Sequence, residues 1–475
     1  MVELPRLVIA APASGHGKTT VATGLMAALR AAGHTVSGHK VGPDYIDPGY
    51  HALATGRPGR NLDPHLVGED LLAPLLLAGA RGAGIAVVEG VMGLYDGRIG
   101  GDGFASTAHV AAATGSPVLL VVDVSHASRT IAAVVQGMVA YGPELDVAGV
   151  VLNKAGSERH AGEVRRALEP TGVPVLGVLY RDDEISAPSR HLGLVPAAER
   201  PDAVRALDRL ASRVAERIDL RRLVALARQA PPLPAAPWSP ERQVTPRQGA
   251  SRPDERRDAS RPGERPVVAV AGGRAFTFRY AETEELLRAA GCEVAHFDPL
   301  TDPGLPDGTA GLYLGGGFPE VHAGDLAANS ALLTALRRAV NGGVPTVAEC
   351  AGLLYLCRTL DGAPMVGALE AQARMSPRLT LGYRDAVAPR DTLLAAAGER
   401  ATGHEFHRTV VEPRAGDTAV WEFGGSPEGF GADPARTGFP TVHASYLHTH
   451  WAGHPGMARR FAAAARRFAA ARRSR

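Results

Sequence analysis

The chain has 475 residues, 45% of them hydrophobic and 21% charged, and a formal net charge of +2. That length suits two or three domains with cores of their own, and the near-neutral balance gives no sign of a nucleic-acid or membrane partner. Three cysteines without CxxC spacing (Cys292, Cys350, Cys357) argue against a disulfide framework and a cysteine zinc site.

The start, "MVELPRLVIAAPASGHGKTT", lacks the parts of a signal peptide, and no apolar run is long enough to span a bilayer. The expected location is therefore the cytoplasm. Residues 1–228 alternate apolar runs with helical stretches. The runs "RLVIAAPA", "GIAVVEGVMG", "PVLLVVDVS", "VAGVVLNK" and "VPVLGVLY" are apolar throughout. Such runs suit strands buried on both faces, hence a parallel sheet flanked by helices.

"APASGHGKTT" (11–20) follows the first strand and opens a helix. Gly15, Gly17, Lys18, Thr19 and Thr20 match the end of a phosphate-binding loop, although Pro12 stands where its first glycine belongs. The glycines let backbone N–H groups close on phosphate oxygens, Lys18 neutralises terminal phosphates, and Thr19 offers a hydroxyl to Mg2+. "HKVGPDYIDPGYH" (39–51) brings Asp44 and Asp47, and Glu89 ends the apolar strand of "VVEGVMGLYDG". A buried carboxylate needs a partner, either a metal ion or a salt bridge to Lys18 or Lys40. Asn153, in "LNKAG", stands at another strand end, where an amide can read a purine base.

Residues 229–265 are rich in proline, arginine and serine and lose all periodicity, which predicts a linker disordered in part. A second α/β series follows over 266–475, with strands at "PVVAVAGG", "EVAHFDPL", "GLYLGGGFPE" and "VPTVAEC". Cys350 lies where the last of these strands turns into "AGLLYL". Such an elbow holds a nucleophile rigidly beside backbone N–H donors, and the helix start favours the thiolate. Cys357 and Cys292 read as core residues. "ASYLHTHW" delivers His448 and His450 downstream as candidate bases. The Ala/Arg-rich C-terminus, "MARRFAAAARRFAAARRSR", reads as a solvated terminal helix, with a basic patch for an acidic partner as the second reading.

The N-terminal residues resemble the dethiobiotin-synthetase-like ATP-dependent amide-forming enzymes. That resemblance implies Mg2+ ligands Thr19, Asp44 and Glu89, with Asn153 at the adenine. Cys350, the downstream Tyr-Leu-His and the turn "YLGGGFPE" resemble a class I glutamine amidotransferase. The resemblance implies Cys350 as nucleophile, His448 as base and His450 as a secondary residue in the place of the usual acid. It also implies an oxyanion hole from Ala351 with Gly316 or Gly317. Together with "GHEFH" (403–407), "RNLD" (60–63), "SRHLGL" (189–194) and "RLTLGYRDA" (378–386), the whole chain except the linker resembles the cobyrinic acid a,c-diamide synthases.

The expected fold is α/β, in two domains that are each a mostly parallel sheet flanked by helices. The implied chemistry uses ATP, glutamine and Mg2+ to amidate the a and c carboxylates of cobyrinic or hydrogenobyrinic acid through an acyl phosphate. Ammonia would pass by a sheltered route. No nucleic acid or membrane is involved, and a homodimer is left open. Three rivals stand beside this reading: the same chemistry on another tetrapyrrole, cobyric acid synthase, and a P-loop switch ATPase with a degenerate second domain.

Overall fold

A computed structural model describes residues 1–181, 189–190, 193–194, 196–199, 202–245 and 265–474. Two compact units divide the chain, Met1–Trp238 and Ser239–Arg475.

The first unit holds β1 (Arg6–Ala10), α1 (Lys18–Ala31), β2 (Val36–Val41), α2 (Ile46–Thr55), β3 (Arg60–Leu62), β4 (Ile85–Glu89), β5 (Val118–Asp123), β6 (Val147–Ala155) and β7 (Val175–Tyr180). The strands form one sheet in the order β3-β2-β4-β1-β5-β6-β7, and every pair is parallel. Both faces are covered, so Val8, Ile9, Val87, Val88, Val121 and Val151 are wholly buried. This is why the runs show no alternation of polar and apolar residues. Parallel strands also end together. The loop after β1, the residues after β2, Glu89 of β4, Asp123 of β5 and Asn153 of β6 therefore gather at one edge of the sheet.

The second unit holds β8 (Val267–Ala271), α3 (Ala281–Ala289), β9 (Glu293–Phe297), β10 (Thr309–Leu314), β11 (Thr346–Glu349), α4 (Ala351–Leu356), β12 (Gln372–Val387), β13 (Arg400–Glu412), β14 (Phe430–Ala432), β15 (Val442–Ser445), β16 (His448–Thr449) and α5 (Pro455–Arg473). One sheet runs β9-β8-β10-β11-β15-β14, parallel except at its last pair. A second sheet is built on the long antiparallel pair β12–β13, with β16 on the outer side of β13. "RLTLGYRDA" and "GHEFH" form this pair. The first is largely exposed or half-buried and the second largely buried, so β13 lies on the inner side of the pair.

Two expectations are corrected. The segment read as a linker from residue 229 is ordered at its start. Leu233 bridges Val2, Trp238 is 3% exposed, and Ser239 caps a short helix, Pro240–Val244. The anchor is Arg6, a wholly buried guanidinium that donates to the carbonyls of Thr114, Leu4, Gly115 and Pro231. Residues 246–264 and His191–Leu192 of "SRHLGL" lie outside the described residues. The terminal helix, in turn, is not a solvated one. Met457, Phe461 and Ala465, four apart, are buried on one face of α5, and its arginines serve the fold: Arg466 donates to Ala290 O, Arg459 to Gln243 O.

Arg6→Met keeps the buried stem and removes the donors. It is expected to cost about 2–4 kcal/mol in urea unfolding because the carbonyls are left unpaired. It should also speed amide exchange over 231–238. Unchanged exchange there would show that Arg6 is not the anchor.

Candidate active site

The first unit gathers charge around the loop between β1 and α1. Gly15 and Gly17 have φ of 87° and 92°, which L side chains rarely adopt. At Gly17 space forbids a side chain as well, since a Cβ would lie 2.3 Å from Asn153 Nδ2. Lys18 folds back on the loop, donating from Nζ to Ala13 O (3.4 Å) and Met92 O. Burial, then the nearby charge of Lys40, lowers its pKa to about 8. Thr20 follows, partly exposed, in the first turn of α1.

Glu89, with no exposed surface, is the hub. Its Oε1 accepts from Thr19 Oγ1 (2.5 Å) and Lys40 Nζ (3.1 Å), and its Oε2 accepts from His51 Nε2 (2.7 Å). Burial alone would raise this carboxyl. Lys40, His51 and Thr19 outweigh burial and hold it ionised, well below the usual range. The second carboxylate at Thr19 is Asp47, not Asp44. Asp47 Oδ2 lies 3.3 Å from Thr19 Oγ1 and 2.8 Å from Lys40 Nζ. Asp44 Oδ1 is spent on the backbone N–H groups of Ile46 and Asp47 at the start of α2. Burial, Asp44 and Glu89 push Asp47 well above the usual carboxylate range. One lysine thus serves two buried carboxylates, and the site is short of positive charge. That shortage and the all-oxygen donor set suit a hard divalent cation.

Asn153 stands near the end of β6, as expected. Its Nδ2 donates to His16 O (2.9 Å), bracing the loop from below. Lys154, at φ 58°, adds a second brace, donating to Gly15 O (3.0 Å) and Asp123 Oδ2 (2.7 Å).

In the second unit Cys350 joins β11 to α4 at φ 49° and ψ −98°. This is a strained elbow, held because Cys350 N donates to Ser445 O (2.8 Å) and Leu354 N to Cys350 O (3.0 Å). Gly352 must be glycine, because a Cβ would lie 2.2 Å from Leu314 O. Burial, then Glu320, raises the Cys350 thiol far above its ordinary value, although the Ala351 N–H hydrogen-bonds the sulfur.

His448 is 1% exposed and stacks on His404, with ring centroids 5.0 Å apart. Burial, then His407, lowers it to about 3, so it rests as an uncharged imidazole. His450 goes elsewhere: its ring lies on Tyr280 (4.1 Å) and its Nε2 is 3.7 Å from Glu282 Oε2. Of the two glycines, Gly316 has its N–H taken by Phe278 O (3.0 Å), which leaves the Gly317 N–H as the candidate partner of Ala351. Gly316 instead makes room for the base, since a Cβ there would lie 2.5 Å from His448 Cε1. Cys357 and Cys292 are buried core thiols, raised by burial to about 12 and 11.

Sequence reasoning named Asp47 without a role and Lys40 only as a salt-bridge partner, and gave no role to His51 or His404. The stretch "HKVGPDYIDPGYH" held the signal, with Lys40, Asp44, Asp47 and His51 within twelve residues. Gly316→Ala is expected to push His448 aside and cut glutamine hydrolysis by on the order of 10²-fold. Kinetics on a variant with an unchanged melting temperature check this, and normal turnover would show that the glycine is not needed for the base.

Comparison with known proteins agrees with this division of labour. Residues 7–195 match the CobQ/CobB/MinD/ParA nucleotide binding domain, and residues 267–456 match the CobB/CobQ-like glutamine amidotransferase domain. The hydrogenobyrinate a,c-diamide synthase of Thermobifida fusca is 64% identical over 466 residues, covering 97% of each chain. That of Streptomyces coelicolor is 57% identical, covering 96% of this chain and 97% of its own. The cobyrinate a,c-diamide synthase of Synechococcus sp. is 42% identical over 96% of this chain and 97% of its own. A nucleotide-binding unit followed by a glutamine amidotransferase unit makes this protein an amide-forming ligase, and the chain belongs to the family of a,c-diamide synthases of cobyrinate and hydrogenobyrinate.

Proposed function

We propose that this enzyme amidates the a and c side-chain carboxylates of hydrogenobyrinic acid, the metal-free corrin acid, in the cytoplasm. The observation that carries the reaction type is a glycine-rich loop at two buried carboxylates in one unit and, in the other, a strained cysteine elbow together with a buried histidine of the second sheet. The metal-free substrate is favoured by the names of the relatives at 64% and 57% identity, with the cobalt form the alternative from the relative at 42%.

In the glutaminase unit, His448 takes the Cys350 proton as the sulfur attacks the glutamine amide carbon. Ala351 N–H, already aimed at the sulfur, and the Gly317 N–H stabilise the oxyanion. His448 returns the proton to the leaving nitrogen, which departs as ammonia, and water then cleaves the thioester to glutamate. In the synthetase unit, the loop N–H groups and Lys18 hold the ATP phosphates while a substrate carboxylate attacks the γ-phosphorus, breaking its bond to the bridging oxygen and releasing ADP. Ammonia then displaces phosphate from the acyl phosphate. Thr19, Asp47 and Glu89 would hold Mg2+, which supplies charge neutralisation at the phosphates. Asn153 contributes by fixing the loop rather than by touching the base.

Cys350→Ala is expected to abolish amidation with glutamine and to keep it with high ammonium salt. Equal loss with both nitrogen sources would contradict a role limited to ammonia release. Glu89→Gln and Asp47→Asn are expected to lose amidation with either source by on the order of 10²-fold or more, while glutamine hydrolysis persists. Asp44→Asn should cost less, and Asp47→Asn should raise the Mg2+ concentration giving half-maximal rate. An Asp44 variant worse than the Asp47 variant would reverse the ligand assignment.

A further inference from the structure

Among the buried acids of the second unit that the glutaminase chemistry does not use, one stands directly beside the cysteine elbow. Glu349, one residue before the nucleophile, is 4% exposed. Its Oε2 accepts from Tyr313 Oη (2.8 Å) and its Oε1 from Thr449 Oγ1 (2.9 Å), with the Thr449 N–H adding to the second contact. The groups acting on it are hydrogen-bond donors and include no cation. Burial lifts the acid to about 7 against the pull of Tyr313 and Thr449. An apolar residue would fill this space at lower cost, so the position calls for a side chain with two acceptors.

The sheet topology supplies the reason. Cys350 follows β11 in the parallel sheet, whereas His448 belongs to β16, which pairs with β13 in the antiparallel sheet. The ladder between β11 and β15 aligns Glu349 with Ser445, but the chain leaves that ladder at Ser445 and passes Tyr446 and Leu447 before the base. Beyond the bond from the Cys350 N–H to Ser445 O, no backbone–backbone hydrogen bond among the described residues links the end of β11 to residues 446–450. Glu349 spans the gap: it sits next to Cys350 on one sheet and grips the residue next to His448 on the other. Tyr313 of β10 holds the opposite side of the carboxyl and is itself packed edge-on against Trp451, at 5.5 Å between ring centroids.

We propose that Glu349 is a positioning residue that sets His448 against Cys350 by tying Thr449 to the end of β11. This rests on Cys350 and His448 being the glutaminase pair. It extends that reading to a contact that touches neither substrate nor sulfur.

The test compares Glu349→Leu, Glu349→Gln and Thr449→Val in the full-length enzyme. Glu349→Leu and Thr449→Val are expected to lower kcat for glutamine hydrolysis 10- to 100-fold, on the order expected for a displaced catalytic group, with KM changed less than about twofold. Ammonium-driven amidation should stay at the parent value, measured well below the melting transition, because removing a buried partner also costs some stability. Glu349→Gln keeps an acceptor for Thr449 and should recover most of the loss. The double variant Glu349→Leu/Thr449→Val should be no worse than the poorer single one, since both remove the same contact. Parent-like kcat in Thr449→Val, or a fall of both nitrogen sources together with melting temperature, would overturn the proposal. Cys350→Ala in the same assay separates the two levels. If it still uses glutamine, the glutaminase assignment fails; if it does not while Glu349→Leu is normal, only the positioning role fails.

Discussion

A carboxylate with no exposed surface must be held by its neighbours, and in the first unit that carboxylate is Glu89. Thr19 reaches it from the start of α1, Lys40 from β2 and His51 from α2. Those three contacts tie together the pieces that make a nucleotide site: the phosphate loop, the strand beside it, and the helix that carries Asp47. The charge balance is incomplete, with Lys40 shared between Glu89 and Asp47. Burying ionised groups without full compensation is costly. The cost is tolerable where a bound cation completes the balance, and this site is arranged for function rather than for maximal stability.

The second unit solves a similar problem with backbone rather than charge. Its Cys350 is forced into a conformation that L residues avoid, and the surrounding strands hold it there. Burial raises the Cys350 thiol and lowers the His448 imidazole, so both are pushed toward their uncharged forms.

Much of this was legible in the sequence, for identifiable reasons. Apolar runs without alternation announced parallel strands, and a glycine-rich turn between strand and helix announced the phosphate loop. A lone cysteine where a strand becomes a helix announced the elbow. Other features could not be read. Asp44 and Asp47 lie three apart, and only the start of α2 at Ile46 decides that the first caps and the second faces Thr19. Asn153 was read from its strand end, but its partner is a carbonyl 137 positions away. Residues 229–238 look like linker by composition, yet a buried arginine from the first strand holds them. In α5 the i, i+4 spacing of Met457, Phe461 and Ala465 was visible and was outweighed by the arginines.

The central claim is that one chain draws nitrogen from glutamine and places it on two carboxylates of a metal-free corrin acid. The direct measurement is mass spectrometry of the product made with ATP, Mg2+, hydrogenobyrinic acid and either ordinary or 15N-amide glutamine. The account predicts that the labelled product is heavier than the unlabelled one by about two mass units, one per amide formed. A product with no label, with four labelled amides, or made only from the cobalt-containing acid would contradict it.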